Sequence, residues 1–219
     1  MGRLSRIRRS FANVAPMQSV ARLAVLFASL TAALALTACH NIPPVDTAPL
    51  DAAGMTYDAI QQLKALNIAT AEVASVASAR RAGVSDSACV QLVEISRSRN
   101  QAFDTGETAA GLAQAGIGAD AIVRLAQLNQ LGLGAGELQA MKLAQFPDDI
   151  ILEVARHHSE QKPVLGGASL AQLKNSGLRE ATLLGLAQHS VPDSEAPNIL
   201  ALRKHGASDV EILRRFAGS

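Results

Sequence analysis

The segment 148–158 contains acidic and imidazole side chains at a spacing from which a metal site could be built. Glu153 precedes His157 by four residues and His158 follows directly, so that in a helix Glu153 and His157 share one face. Carboxylate oxygen and imidazole nitrogen are ordinary zinc ligands. The order differs from that of the HExxH metalloproteases, and no third ligand is evident. We therefore retain Glu153, His157 and His158 only as weak metal candidates and predict no resident cofactor.

The same segment has a purely structural explanation. Asp148 and Asp149 stand where the helix would begin, and the histidine pair stands where it would end. Acidic groups stabilise the positive end of a helix and imidazolium stabilises the negative end. This explanation is favoured, while a dispersed enzyme or metal site around His157 and His158 stays open as an alternative.

Cys89 and Cys39 are the two thiols of the chain. Cys89 aligns with apolar residues in the helical pattern described below, which predicts a buried and inert thiol. The sequence contains no GxSxG elbow and no GxxxxGK loop. No catalytic residue is predicted and the chain is not expected to be an enzyme.

The first 38 residues differ sharply in composition from the rest. They carry five arginines and no acidic residue, and the uncharged run 23–38 ends this segment. A helix of sixteen residues is about 24 Å long, which is short for a bilayer core of about 30 Å. A basic start, a short apolar run and small residues at its end are typical of a secretory signal peptide, which would begin at Met1 or Met17.

The end of the apolar run, Leu36-Thr37-Ala38-Cys39, resembles the lipobox of bacterial lipoproteins. The resemblance implies that Cys39 is lipidated, that the signal 1–38 is removed, and that a covalent lipid holds the protein to a membrane. His40 follows the cysteine where an Asp would favour inner-membrane retention, so the resemblance indicates the outer membrane, facing the periplasm. It covers residues 1–40 alone and implies nothing about the fold that follows.

Removal of the signal changes the charge balance. It takes away five of the 20 Lys and Arg and none of the 19 Asp and Glu, so the formal net charge goes from +1 to −4. A mildly acidic protein does not favour nucleic-acid binding by bulk charge. Residues 39–54 contain three prolines and are predicted to form an extended tether.

From residue 55 to 219 the sequence predicts an all-α domain of short helices. One pattern recurs along this part of the chain. A Leu or Ala is followed four residues later by a Gly or Asn, and then by an apolar residue and a new apolar helix. The residues aligned as helix ends are Asn67, Gly83, Gly116, Gly132, Gly177 and Gly206. Gly in this position can adopt the left-handed conformation that ends a helix. Longer loops are expected at 96–108 and 159–168.

Helix starts recur at 13 or 16 residues over long stretches, so two starts make a hairpin of about 30 residues, the size of repeat-protein units. The sequence therefore predicts repeated helix-turn-helix units, arranged either as an irregular solenoid or as a compact multi-helix bundle. Gly116-Ile117-Gly118 and Gly132-Leu133-Gly134 weakly resemble the loops of helix-hairpin-helix DNA-binding domains. Because no Lys or Arg clusters there, nucleic-acid binding is only a second alternative.

These features lead to one functional expectation. A helical array offers surface, and the sequence shows no catalytic set or small-molecule site. We expect a lipid-anchored envelope protein whose helical domain is an interaction or scaffold module for an envelope protein partner. Arg80, Arg81, Arg97 and Arg99 could contact such a partner, but a solvated face is the favoured explanation for them.

Overall fold

A computed structural model describes residues 45–132 and 135–218. This part of the chain contains twelve α-helices and one short 3-10 helix, and it has no strand. The helices are α1 Ala48–Ala52, α2 Tyr57–Ala65, α3 Thr70–Arg81, α4 Asp86–Ser98, α5 Gly106–Gln114, α6 Ala119–Gln127, α7 Ala135–Leu143, α8 Asp148–Ser159, α9 Gly167–Asn175, α10 Glu180–Gln188, α11 Ala196–Lys204 and α12 Asp209–Phe216. Within the described residues, no helix is long and apolar enough to cross a membrane. The predicted all-α class is confirmed.

The helices form two rows. Each helix packs against the helix two positions further along the chain, so that the odd-numbered helices make one row and the even-numbered helices the other. From α3 onward, successive pairs such as α3 and α4 also pack as hairpins. Repeats that contact only their neighbours define a solenoid. Of the two predicted arrangements, the structure is therefore the solenoid.

Helices α1 to α11 end in the same capping motif. At the end of α3, Gly83 has a φ of +100°, and the Val84 amide donates to the Ala79 carbonyl at 3.2 Å. This is the six-to-one hydrogen bond of the Schellman motif. Val84 is completely buried, because the apolar residue after the turn folds back on the helix. The predicted function of Gly83 is thus confirmed, and the same bond recurs at the ends of the other helices from α1 to α11.

The predicted helix end at Gly132 is wrong. The residue with positive φ is Asn129, at +58°, and the Gln130 amide closes the turn on the Leu125 carbonyl at 2.8 Å. Asn tolerates the left-handed region better than most residues, so α6 ends three residues early. Leu133 and Gly134 lie outside the described residues.

The tether prediction also needs correction. Residues 48–52, assigned to an extended tether, form α1, with Pro49 in the first turn, where its missing N–H costs no hydrogen bond. Leu50 in this helix is completely buried, and α1 packs on α3. The helical domain therefore begins before residue 55. The predicted long loops are present but shorter, at 99–105 and 160–166.

Two helices of the same row can approach each other closely only where a small residue lies at their contact. At Gly106, the first residue of α5, a Cβ atom would lie 2.0 Å from the backbone oxygen of Ser75 on α3. That distance is far inside van der Waals contact. The backbones of α3 and α5 can therefore meet only because residue 106 has no side chain.

Candidate functional site

The fold brings three polar side chains together. Glu153 and His157 lie on α8, and Ser190 lies just after the end of α10. His157 is 1% exposed, and its Nε2 lies 3.1 Å from Glu153 Oε1. Its Nδ1 lies 3.2 Å from Ser190 Oγ. Ser190 has a φ of +56°, an uncommon backbone conformation for serine. Sequence reasoning paired Glu153 with His157 correctly but missed Ser190, which is 33 residues further along the chain.

A serine, a histidine and a carboxylate in a chain are the components of a hydrolase triad, but the surroundings supply a structural explanation. An acyl-transfer site needs backbone amides aimed at the developing oxyanion. Here the Ser190 amide donates to the Ala187 carbonyl at 3.0 Å and the Val191 amide to Leu186 at 3.2 Å. Both amides are committed to ending α10, so the three side chains serve to join α8 to α10.

Glu153 is also committed to an arginine. Arg156 Nη2 donates to Glu153 Oε1 at 2.6 Å, and Arg156 Nε donates to Oε2 at 3.2 Å. This pair holds the pKa of Glu153 below its ordinary value. Among the described residues, no group of three or more His, Cys, Asp and Glu is arranged to hold a metal. His158 is partly exposed, and its Nε2 is buried without a hydrogen-bond partner.

Cys89 lies in the core, as predicted. Its side chain is 1% exposed, and burial raises the pKa of its thiol to about 12. A thiol that stays protonated at neutral pH is a poor nucleophile. Cys39 lies outside the described residues.

An ion pair that recurs between the two helices of a hairpin is the feature that sequence reasoning missed. Near the end of an odd-numbered helix, Arg80 pairs with Asp86, the first residue of the next helix, at 2.6 Å. The Thr56 amide, just before α2, donates to the same Asp86 carboxylate at 2.9 Å, and Arg80 donates to the Gly54 carbonyl at 3.1 Å. We call this arrangement of a basic residue and a carboxylate six positions apart the hairpin clamp. Through its hydrogen bonds to Gly54 and Thr56, it fastens the α3–α4 hairpin to the helices that precede it.

The hairpin clamp recurs along the solenoid. The other pairs with the six-residue spacing are Lys142 with Asp148, Lys174 with Glu180, and Arg203 with Asp209. The Gly118 amide donates to Asp148, and the Arg179 amide to Asp209, each at 3.0 Å. Burial would raise the pKa of Asp209, but Thr182, the Arg179 amide and Arg203 together hold it below its ordinary value. The pattern [KR]-x5-[DE] was visible in the sequence and would have predicted these contacts.

Two further arginines fasten the helices to one another. Arg97 pairs with the buried Glu72 and donates to the carbonyls of Leu66 and Asn67. Arg99 donates to the carbonyls of Ala126 and Gln127 at the end of α6, at 2.8 and 2.9 Å. The favoured explanation of a solvated face is therefore wrong for Arg80, Arg97 and Arg99, which bind backbone carbonyls.

An open groove of about 680 Å³ lies between α6 and α8 in the even row. Apolar atoms of Ala121, Leu128 and Leu152 contribute to its surface, together with charged side chains of both helices. The charged residues that line it are Asp120, Arg124, Asp148, Asp149, Glu153 and Arg156. Binding sites usually combine apolar surface with a few placed polar groups. This groove combines both kinds of side chain and is richer in charge.

Comparison with known proteins adds no relative. The chain matches no protein-family model, no curated protein and no solved structure.

Proposed function

We propose that this chain is a bacterial envelope lipoprotein whose α-solenoid presents a binding surface to another envelope protein. The observation that carries the proposal is the clamped solenoid itself. Stacked repeats create extended surfaces without needing a reaction centre, and solenoids commonly use those surfaces for binding. The groove between α6 and α8 is the best-formed place for a partner, since it combines apolar area with charge.

The proposed anchor rests on residues 36–39. Two or three acyl chains anchor a protein stably, whereas a single chain binds a membrane only marginally. In this proposal Cys39 carries the covalent lipid, the membrane is the outer membrane facing the periplasm, and the solenoid extends from it. The Cys39 thiol is the one to be modified, because Cys89 is buried among helices.

A fatty-acid labelling experiment tests the anchor. Cells producing the wild type, Cys39→Ala or Cys89→Ala are grown with a clickable fatty acid, and their membranes are separated. We expect label on the wild type and on Cys89→Ala in the outer-membrane fraction, and none on Cys39→Ala. Cys89→Ala is the matched control, since it also removes one thiol. Equal labelling of Cys39→Ala and wild type, or no label on either, would contradict the proposal.

A further inference from the structure

The length of chain between the proposed anchor and the solenoid limits how far the solenoid can stand from the membrane. Val45 is the first residue of the described helical domain, and its side chain packs on the hydrophobic core. Only six peptide bonds join Cys39 to Val45. A polypeptide spans at most about 3.6 Å per residue, so these two residues are no more than about 22 Å apart. A solenoid anchored through Cys39 therefore keeps its first helices close to the bilayer.

Helices α1 and α2 form the end of the solenoid that the anchor reaches. α1 packs on α3 and α2 packs on α4, whereas α11 and α12 form the opposite end. The axes of packed helices are about 8–10 Å apart, so five steps along a row add about 40–50 Å. The chain length thus holds the α1–α2 end near the membrane and leaves the α11–α12 end free to point away.

Tyr57 projects from the α1–α2 end. Three even-numbered helices begin with an Asp whose carboxylate accepts the amide of the residue just before an earlier even-numbered helix, namely Asp86, Asp148 and Asp209. The first residue of an even-numbered helix is therefore directed towards the preceding repeat. Tyr57 takes this position in α2, and no even-numbered helix precedes α2 among the described residues. Because nothing covers it there, Tyr57 is 74% exposed.

The chemistry of Tyr57 suits a membrane surface. It is the one tyrosine of the chain, and the aromatic residues Phe103 and Phe146 are buried in the core. Tyrosine is enriched where a membrane meets water, because its ring is apolar and its hydroxyl group is polar. An exposed tyrosine at the end nearest the anchor is therefore placed to enter the headgroup region.

The charges at this end indicate the kind of bilayer. Asp46, Asp51 and Asp58 are exposed in the segment 45–66, whose one basic residue is Lys64. Carboxylates are repelled by the negative surface of acidic phospholipids, whereas zwitterionic headgroups carry no net charge. This end therefore fits a zwitterionic surface better than an acidic one.

We propose that the α1–α2 end of the solenoid rests on a zwitterionic bilayer surface, with the ring of Tyr57 among the headgroups. Helices α11 and α12 then point away from the membrane. The inference rests on the proposed lipid anchor at Cys39 and adds the surface by which the anchored domain contacts the bilayer.

Tryptophan fluorescence tests the inference, because the chain has no tryptophan of its own. The variants Tyr57→Trp, Leu143→Trp and Val210→Trp are produced from the full chain and purified from membranes. Each is inserted into phosphatidylcholine vesicles with or without phosphatidylcholine that is brominated close to the headgroup. Leu143 on α7 and Val210 on α12 are matched controls, since they are 77% and 75% exposed. Circular dichroism checks the fold, and vesicle flotation with mass spectrometry of the Cys39 peptide checks the anchor.

We expect the brominated lipid to reduce the emission of Tyr57→Trp roughly twofold or more and to leave Leu143→Trp and Val210→Trp unchanged. Acidic phospholipid added at low salt should weaken the quenching of Tyr57→Trp. If the protein floats with an acylated Cys39 but Tyr57→Trp is not quenched, the inference is overturned and the anchor stands. Equal quenching of all three variants, or stronger quenching with acidic phospholipid, would overturn it in the same way. An unmodified Cys39 peptide would overturn both the anchor and the inference that rests on it.

Discussion

Replacement of Gly106 by Ala is expected to destabilise the solenoid strongly. The added methyl group would lie 2.0 Å from the Ser75 backbone oxygen, and a backbone atom cannot move aside as a flexible side chain can. Helices α3 and α5 would have to separate. Overpacking of this kind typically lowers the free energy of unfolding by about 1–3 kcal/mol, and we expect this case at the upper end. Denaturant titration followed by circular dichroism would show a lower midpoint of unfolding.

Gly136→Ala is the matched control for this substitution. Gly136 lies in α7 and is exposed, and no atom lies within 4 Å of the position that an added methyl group would take. Ala is favoured over Gly inside a helix by about 0.5–1 kcal/mol, so this variant should be slightly more stable than the wild type. A Gly106→Ala protein as stable as Gly136→Ala would show that α3 and α5 do not approach as described.

Glu72→Gln is the second substitution with a large expected effect. Glu72 is 3% exposed, and its carboxylate pairs with Arg97 and accepts hydrogen bonds from the amides of Ala69 and Phe103 at 2.7 and 2.5 Å. It therefore joins the start of α3 to the end of α4 and to the loop that follows. Removing one partner of a buried ion pair costs about 3–5 kcal/mol, and the partial exposure of Arg97 places this case near the lower end.

The cost of Glu72→Gln should depend on pH. Burial raises the pKa of Glu72, but Arg97 and the two amides outweigh burial and hold it below the ordinary value of 4.5. A depressed pKa in the folded state contributes stability that is complete above pH 4.5 and is lost as pH falls through the lower, folded value. The difference in unfolding free energy between wild type and Glu72→Gln should therefore be largest near neutral pH and shrink below pH 4.5.

Glu94→Gln serves as the control for this measurement. Glu94 is exposed on α4, and its replacement should change stability by less than about 0.5 kcal/mol at any pH. If Glu72→Gln behaved like Glu94→Gln at neutral pH, the buried pair would not be holding the loop and the two helices together.

Much of the fold was predictable because short helices leave local signals. Gly83, Gly116, Gly177 and Gly206 end helices where the pattern placed them. The helix end predicted at Gly132 was wrong, because Asn129 also adopts a positive φ and comes earlier in the chain. The solenoid could not be separated from a bundle, because apolar spacing shows which face is buried but not which helix covers it.

The candidate site was less predictable, for a similar reason. The pairing of Glu153 with His157 follows from four-residue spacing on one helix, whereas Ser190 reaches His157 only through the packing of α10 on α8. Arg80 looked like an exposed charge, because the carbonyl that it binds, that of Gly54, lies 26 residues earlier in the chain. In the sequence, only the repeated spacing of six residues between a basic residue and an Asp or Glu indicated these contacts.

Photo-crosslinking in cells tests the central proposal of an envelope interaction surface most directly. A photoreactive amino acid is introduced at Gln127, which lines the groove on α6, or at Gln172, which is exposed on α9 in the other row. We predict a discrete crosslinked protein in the envelope fraction from position 127, absent from position 172 and lost with Asp120→Asn/Asp149→Asn. Equal crosslinking at both positions, or a product at 127 that survives loss of the two carboxylates, would contradict the account.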